Sequence, residues 1–115
     1  MPIPPEIAAL VNQLNQEFDQ TETDATEGAS LVRALLSRFP DNVRLIQFFS
    51  FFSNALLFVE ISRRRVQALV ERVSAPDVIV EEIQVVGEDL ATLLGRVLEA
   101  KISSRRILDI VEQLR

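Results

Sequence analysis

At 115 residues, with 17 acidic side chains against 12 basic and a formal charge of −5, the chain is one domain with a modest core and a poor match for nucleic acid or an anionic membrane surface. It holds no His, Cys, Trp or Tyr and only three Gly. Those absences exclude disulfides and thiol nucleophiles, remove the usual zinc ligands and the commonest general base, and leave nothing to build a phosphate-cradling glycine loop.

The opening residues, Met-Pro-Ile-Pro-Pro-Glu, lack the basic stretch and apolar run of a signal peptide, which points to a cytoplasmic protein. Pro4 or Pro5 suits a first helical turn, and Glu6 suits its positive end. From there Ile7, Val11, Leu14, Phe18, Thr21, Ala25, Gly28, Val32, Leu35 and Phe39 alternate steps of four and three. That spacing is the seam of a helix packed nearly parallel or antiparallel to its neighbours. Asp19 to Gly28 is rich in the poor helix formers Thr, Asp and Gly, yet the heptad phase passes through it intact. A continuous first helix over about residues 5–39 is therefore predicted.

Pro40-Asp41-Asn42 ends that helix and offers a cap for the next, over about residues 42–73. Its seam reads Leu45, Phe49, Phe52, Leu56, Val59, Arg63, Val66, Val70, Val73. Residues 43–61 are apolar on more than one side, and a helix of that kind is covered on several sides. Arg44, Gln47, Asn54 and Glu60 interrupt the run too often for a membrane span. Ser74-Ala75-Pro76-Asp77 closes the second helix, and Ser74 with Asp77 resembles a capping box for a third over about residues 76–114. The third seam runs Ile79, Ile83, Val86, Leu90, Leu93, Val97, Ala100, Ser104, Ile107, Val111, Leu114. Short connections make consecutive helices antiparallel neighbours, so the expected fold is all-α: an antiparallel up-down-up three-helix bundle, residues 1–115, completed by oligomerisation.

Phe48, Phe49, Phe51, Phe52 and Phe58 fall level with small residues, Gly28, Ala29 and Ser30 on the first helix and Ala100, Ser103 and Ser104 on the third. Large against small is how a core interdigitates, and Phe49 and Phe52 are assigned to it. Ile46, Leu57 and Ile61 lie on a further face that three helices alone leave wet. With Phe51 and Phe58 they form the predicted oligomer interface. Gly87, Ala91 and Gly95, spaced by four, allow a neighbouring helix to approach closely. Counting levels in the hairpins brings Asp19, Arg63 and Glu88 together, and a polar layer of these residues is expected to set register.

Chemistry is thinly represented. Glu81, Glu82, Glu88 and Asp89 suggest a carboxylate-bound metal, but the first pair lacks acids at positions 84 and 85, which hold Gln and Val. No nucleophile, base and oxyanion set can be assembled, so no catalytic, metal or cofactor site is assigned. The function read from these residues is a non-catalytic helical adaptor, assembly factor or regulator, acting through contacts with itself as a dimer or higher even oligomer and with a protein partner. The alternative is a nucleic-acid accessory protein using the Arg clusters at 63–65 and 105–106. A carboxylate-metal helical enzyme ranks third.

Overall fold

Local chemistry sets most of the helix ends. The computed structural model describes residues 3–115, and among them the chain forms three α-helices and no strand: α1 Pro5–Arg38, α2 Val43–Val73 and α3 Val80–Leu114. Pro5 stands in the first turn of α1, where its missing N–H costs nothing, and Glu6 faces the positive helix end. Asn42 caps α2, its Oδ1 accepting from the Leu45 N–H at 3.0 Å. At the other end of α2 the Ser74 N–H donates to the Val70 and Glu71 carbonyls, and its hydroxyl donates to Val70 O at 2.8 Å.

That last bond corrects the expected start of α3. Ser74 closes α2 rather than opening α3, so it forms no capping box with Asp77. Residues 74–79 are a connection, with the Val78 N–H donating to Ala75 O, and α3 begins at Val80 instead of near residue 76. Its cap is Ile79, extended at φ −94° and ψ 159°, with no side-chain hydrogen bond. Glu81 and Glu82 in the first turn complement the exposed amides instead.

α1 runs unbroken through residues 19–28 despite their low propensity. Tertiary packing is the reason: Thr21, Asp24, Ala25 and Gly28 in this stretch are all buried. The bundle is slender, 58 × 18 × 17 Å, with a radius of gyration of 17.5 Å. A compact chain of this length would have a radius of about 13 Å. Long helices with few layers therefore leave much of each helix near solvent.

Buried apolar residues fall into two groups. One contains Ile7, Leu14, Phe18, Val59, Val66, Leu69, Val73, Val86, Leu90, Leu93 and Val97. The other contains Ala25, Ala29, Val32, Leu35, Leu45, Phe52, Ala55, Leu108 and Val111. In α1 the divide falls at Thr21, between Phe18 and Ala25. In α3 it falls at Ser104, between Val97 and Leu108. Both of these polar residues are fully buried.

The central column of α2 is not the predicted one throughout. Phe52, Val59, Val66 and Val73 are buried as expected, but Ala55, Ser62 and Leu69 occupy the alternate positions in place of Leu56, Arg63 and Val70. Phe49 is likewise only half-buried, with the Arg33 guanidinium 5.5 Å from its ring centroid. Phe39, Ile79 and Leu114, the outermost seam positions, are exposed because the neighbouring helices have ended.

Of the close approaches expected at glycine, Gly28 shows one. A Cβ there would lie 2.3–2.6 Å from the Phe52 ring. Gly95 has nothing within 4 Å, and a Cβ at Gly87 would meet only Ile7 Cδ1, at 3.5 Å. The spacing of Gly87, Ala91 and Gly95 thus marks no close helix contact, because that side of α3 faces largely outward.

Candidate interaction surface

On α2, Phe52, Ala55, Val59, Ser62 and Val66 point into the bundle, so positions 46, 50, 53, 57 and 61 point away from it. Ile46, Leu57 and Ile61 are 47%, 52% and 54% exposed, and Val43 at the start of the same stripe is 66% exposed. Ser50 and Ser53 lie between the apolar pairs, and Arg64 ends the stripe. Four large aliphatic side chains on one face of one helix, all about half exposed, are more than the isolated exposed residues of an ordinary surface.

The five residues expected to form one interface divide between two faces. Phe51 and Phe58 turn away from this stripe. They are half-buried and line a groove of about 360 Å³ between α2 and α3, with Asn54, Arg96, Ala100 and Ser103. Phe51 packs edge-on against Phe52, centroids 5.6 Å apart, and Arg96 covers Phe58 at 5.4 Å. A step of 100° per residue carries positions 51 and 58 round toward α3, and the apolar character they share with Leu57 hides that difference in sequence.

Arg63 is half-buried at the α1–α2 seam. Its guanidinium reaches Asp19 Oδ1 at 2.8 Å and Glu22 Oε2 at 2.7 Å, and its Cζ lies over Phe18, 6.0 Å from the ring centroid. The hydrogen bond it donates to Glu22, followed by the charges of both acids, holds the Arg63 pKa above its ordinary value against the opposing effect of burial, so the side chain stays cationic. Glu88 does not join the pair. It is exposed and forms no ion pair among the described residues, whereas its neighbour Asp89 reaches Arg65 at 3.7 Å. One residue along a helix is a rotation of 100°, which turns Glu88 to solvent and Asp89 toward α2.

A deeper polar layer joins Thr21 and Ser104, both predicted seam positions, to Ser62, which the predicted seam of α2 passes over. Thr21, Ser62 and Ser104 are each buried on the inner face of their helix, and the flanking pairs Arg63–Glu22 and Lys101–Glu17 bring them to about one level. The Thr21 hydroxyl donates to Glu17 O at 2.8 Å. Ser104 Oγ has no hydrogen-bond partner among the described residues. Beside them Asp24 is only 3% exposed, and it forms the floor of a groove of about 680 Å³ between α1 and α3. Its Oδ1 accepts from Gln20 at 3.2 Å and from Arg105 at 3.5 Å, while Oδ2 has no hydrogen-bond partner among the described residues. Arg105 also reaches Asp109 and Glu112. The Asp109 charge is the chief cause of a pKa above the ordinary arginine value. The only sequence signal for Asp24 is an acid three residues after a seam position.

These contacts predict what substitution at Arg63 does. Asp19 and Glu22 are largely exposed, so each ion pair contributes less than about 1 kcal/mol. Arg63→Leu keeps an apolar cover on Phe18 and is expected to leave urea stability within about 0.5 kcal/mol of wild type. Arg63→Ala uncovers the ring and should cost about 1 kcal/mol. Glu88→Ala should change nothing measurable. If Arg63→Leu and Arg63→Ala destabilise equally, the ion pairs that both remove, and not the cover on Phe18, are what matters.

Despite Arg44, Gln47, Asn54 and Glu60, the interruptions expected to rule out a span, α2 is long and apolar enough to cross a membrane by length and composition, and 33% of its most apolar stretch is buried inside the bundle. No group of three or more acidic side chains placed to hold a metal ion occurs among the described residues. No family model, curated protein or solved structure matches the chain.

Proposed function

We propose that this protein is a cytoplasmic, non-catalytic adaptor, assembly or regulatory protein: an antiparallel up-down-up three-helix bundle that works as a homo-oligomer through protein–protein contacts. The observation that carries the reading is the outward aliphatic stripe of α2, Val43, Ile46, Leu57 and Ile61. Burial of such a stripe releases about 25 cal/mol for each Å² of apolar surface, and a slender bundle has no fourth helix to cover it. The up-down-up course is supported by the pairs of Asp19 with Arg63 and of Gly28 with Phe52, which place successive α1 residues against receding α2 residues, and by those of Glu17 with Lys101 and of Asp24 with Arg105, which place them against advancing α3 residues.

The arginine clusters fit the same reading better than they fit nucleic acid. Arg63, Arg64, Arg65 and Arg105 each have an acidic partner within the chain. Of the two clusters, Arg106 alone has no acidic partner among the described residues, and phosphate binding draws its strength from several unpaired cations acting together.

Light scattering coupled to size exclusion tests the proposal. At micromolar concentration the wild type should have twice the mass of the 13.0 kDa chain, or a higher even multiple. Leu57→Glu should bring the mass down to 13.0 kDa while helical circular dichroism is retained, because the new carboxylate would have to be desolvated at the contact. A wild type that scatters as a 13.0 kDa monomer overturns the reading. Scattering mass must decide, since an elongated monomer elutes early.

A further inference from the structure

We infer that two copies of this chain join through α2 against α2 in antiparallel orientation, with the two-fold axis crossing the helix between the levels of Ser50 and Ser53. The inference rests on the homo-oligomer reading above and deepens it to one interface, one orientation and one register.

The pattern of the stripe is self-complementary when reversed. Going outward from its middle in both directions it reads Ser50 and Ser53, then Ile46 and Leu57, then Val43 and Ile61. Reversing one helix about that middle lays Ile46 on the partner's Leu57, Val43 within one residue of the partner's Ile61, and serine on serine. Every large aliphatic residue then meets another, and the small residues at the axis let the backbones come close. Sliding the partner by one further turn puts Leu57 on Ser50 and Val43 on Arg64, so the hydrophobic surface is no longer matched with itself. An isologous contact of this kind closes on two copies and leaves no free half-interface to propagate.

Charge chooses the orientation. Arg64 lies on the stripe and is largely exposed, paired among the described residues with Glu60 of its own helix. In the reversed arrangement it comes over the partner's α1–α2 corner, where Asp41 forms no ion pair among the described residues, while the exposed Phe39 ring is already covered by the Arg38 guanidinium at 5.4 Å. The Asp41 carboxylate is the favourable neighbour there for a guanidinium. In a parallel pair with the same face in contact, Arg64 would sit on Arg64 of the other copy, placing like charges on the contact line as it is desolvated. The two arrangements therefore bury the same aliphatic residues and differ in electrostatic sign at one position.

The chain has no native cysteine, so site-directed crosslinking has no background. We would make S53C, I46C and L57C singly, together with the double variant I46C/L57C, and oxidise each at micromolar concentration. S53C, close to the axis, should give a covalent dimer. I46C and L57C should each give little, because eleven residues of helix hold each cysteine about 16 Å from its copy. The double variant should crosslink efficiently, several-fold more than the two singles together. Strong crosslinking of I46C and of L57C alone would mean a parallel pair. That outcome overturns the orientation and leaves the oligomer reading standing. A scattering mass of a dimer with no crosslink at any of these positions overturns the α2 interface but not oligomerisation. A monomeric mass with no crosslink overturns both.

Discussion

Phe52→Ala is expected to lower the unfolding free energy by about 3–5 kcal/mol, a large share of the 5–15 kcal/mol that holds a typical domain folded. Phe52 is fully buried, edge-packed on Phe51 and seated directly against Gly28. Truncation removes the transfer free energy of the ring. It also leaves a cavity that a helix pair in contact at glycine cannot collapse to fill. The chain lacks Trp and Tyr, so urea unfolding should be followed by far-ultraviolet circular dichroism. Protein concentration must be equal for variant and wild type, since any association makes stability concentration-dependent. A loss below about 1.5 kcal/mol would mean that the ring is not the keystone of this half of the core.

Gly28→Ala should also destabilise, by about 1–3 kcal/mol, although alanine is the better helix former by about 1 kcal/mol. The added Cβ would lie 2.3–2.6 Å from three atoms of the Phe52 ring, too close for any real contact. α1 and α2 must then part or the ring must leave its rotamer. Gly95→Ala is the matched control. Nothing lies within 4 Å of a Cβ there, so the propensity gain should appear unopposed as about 0.5–1 kcal/mol of added stability. In the Phe52→Ala background the sign at position 28 should reverse, with Gly28→Ala now stabilising because it fills part of the cavity. Neighbours that share one space are where additivity fails, and a double-mutant cycle reads the coupling. If Gly28→Ala and Gly95→Ala raise stability equally, the close approach of the two helices does not exist.

Much of the α2 surface is legible in the sequence. Ile46, Leu57 and Ile61 stand apart from the core as a third apolar face, and they are exposed together. Phe51 and Phe58 group with them in sequence because all five are large and apolar, and hydrophobicity carries no direction. The partnership of Arg63 is half legible. Asp19 is expected beside it and is there, but Glu22 is the second acid and Glu88 is not, since counting levels gives height along a bundle and not rotation about a helix. Of the inner layer, Thr21 and Ser104 stand in the seams read from sequence, while Ser62 is hidden because the heptad puts Arg63 in its place.

Helical character throughout, the ends of α1 and α2 to within about a residue, and the excess of apolar surface on α2 all follow from the order of the amino acids. Those properties are local or cumulative: the period of apolar residues, the proline and asparagine punctuation, and a count of aliphatic side chains. Which of two adjacent columns of α2 faces the centre is instead a matter of tertiary packing. Leu56 and Ala55 are equally consistent with the heptad, as are Val70 and Leu69, and the choice belongs to the helices packed on either side. The start of α3 is settled the same way. Ser74 can cap the helix behind it or the one ahead, and the chain resolves that ambiguity by donating its hydroxyl backward to Val70. Gly28 is the plainest case. In sequence it is one of three glycines, and only the approach of the Phe52 ring from another helix separates it from Gly95, which nothing touches.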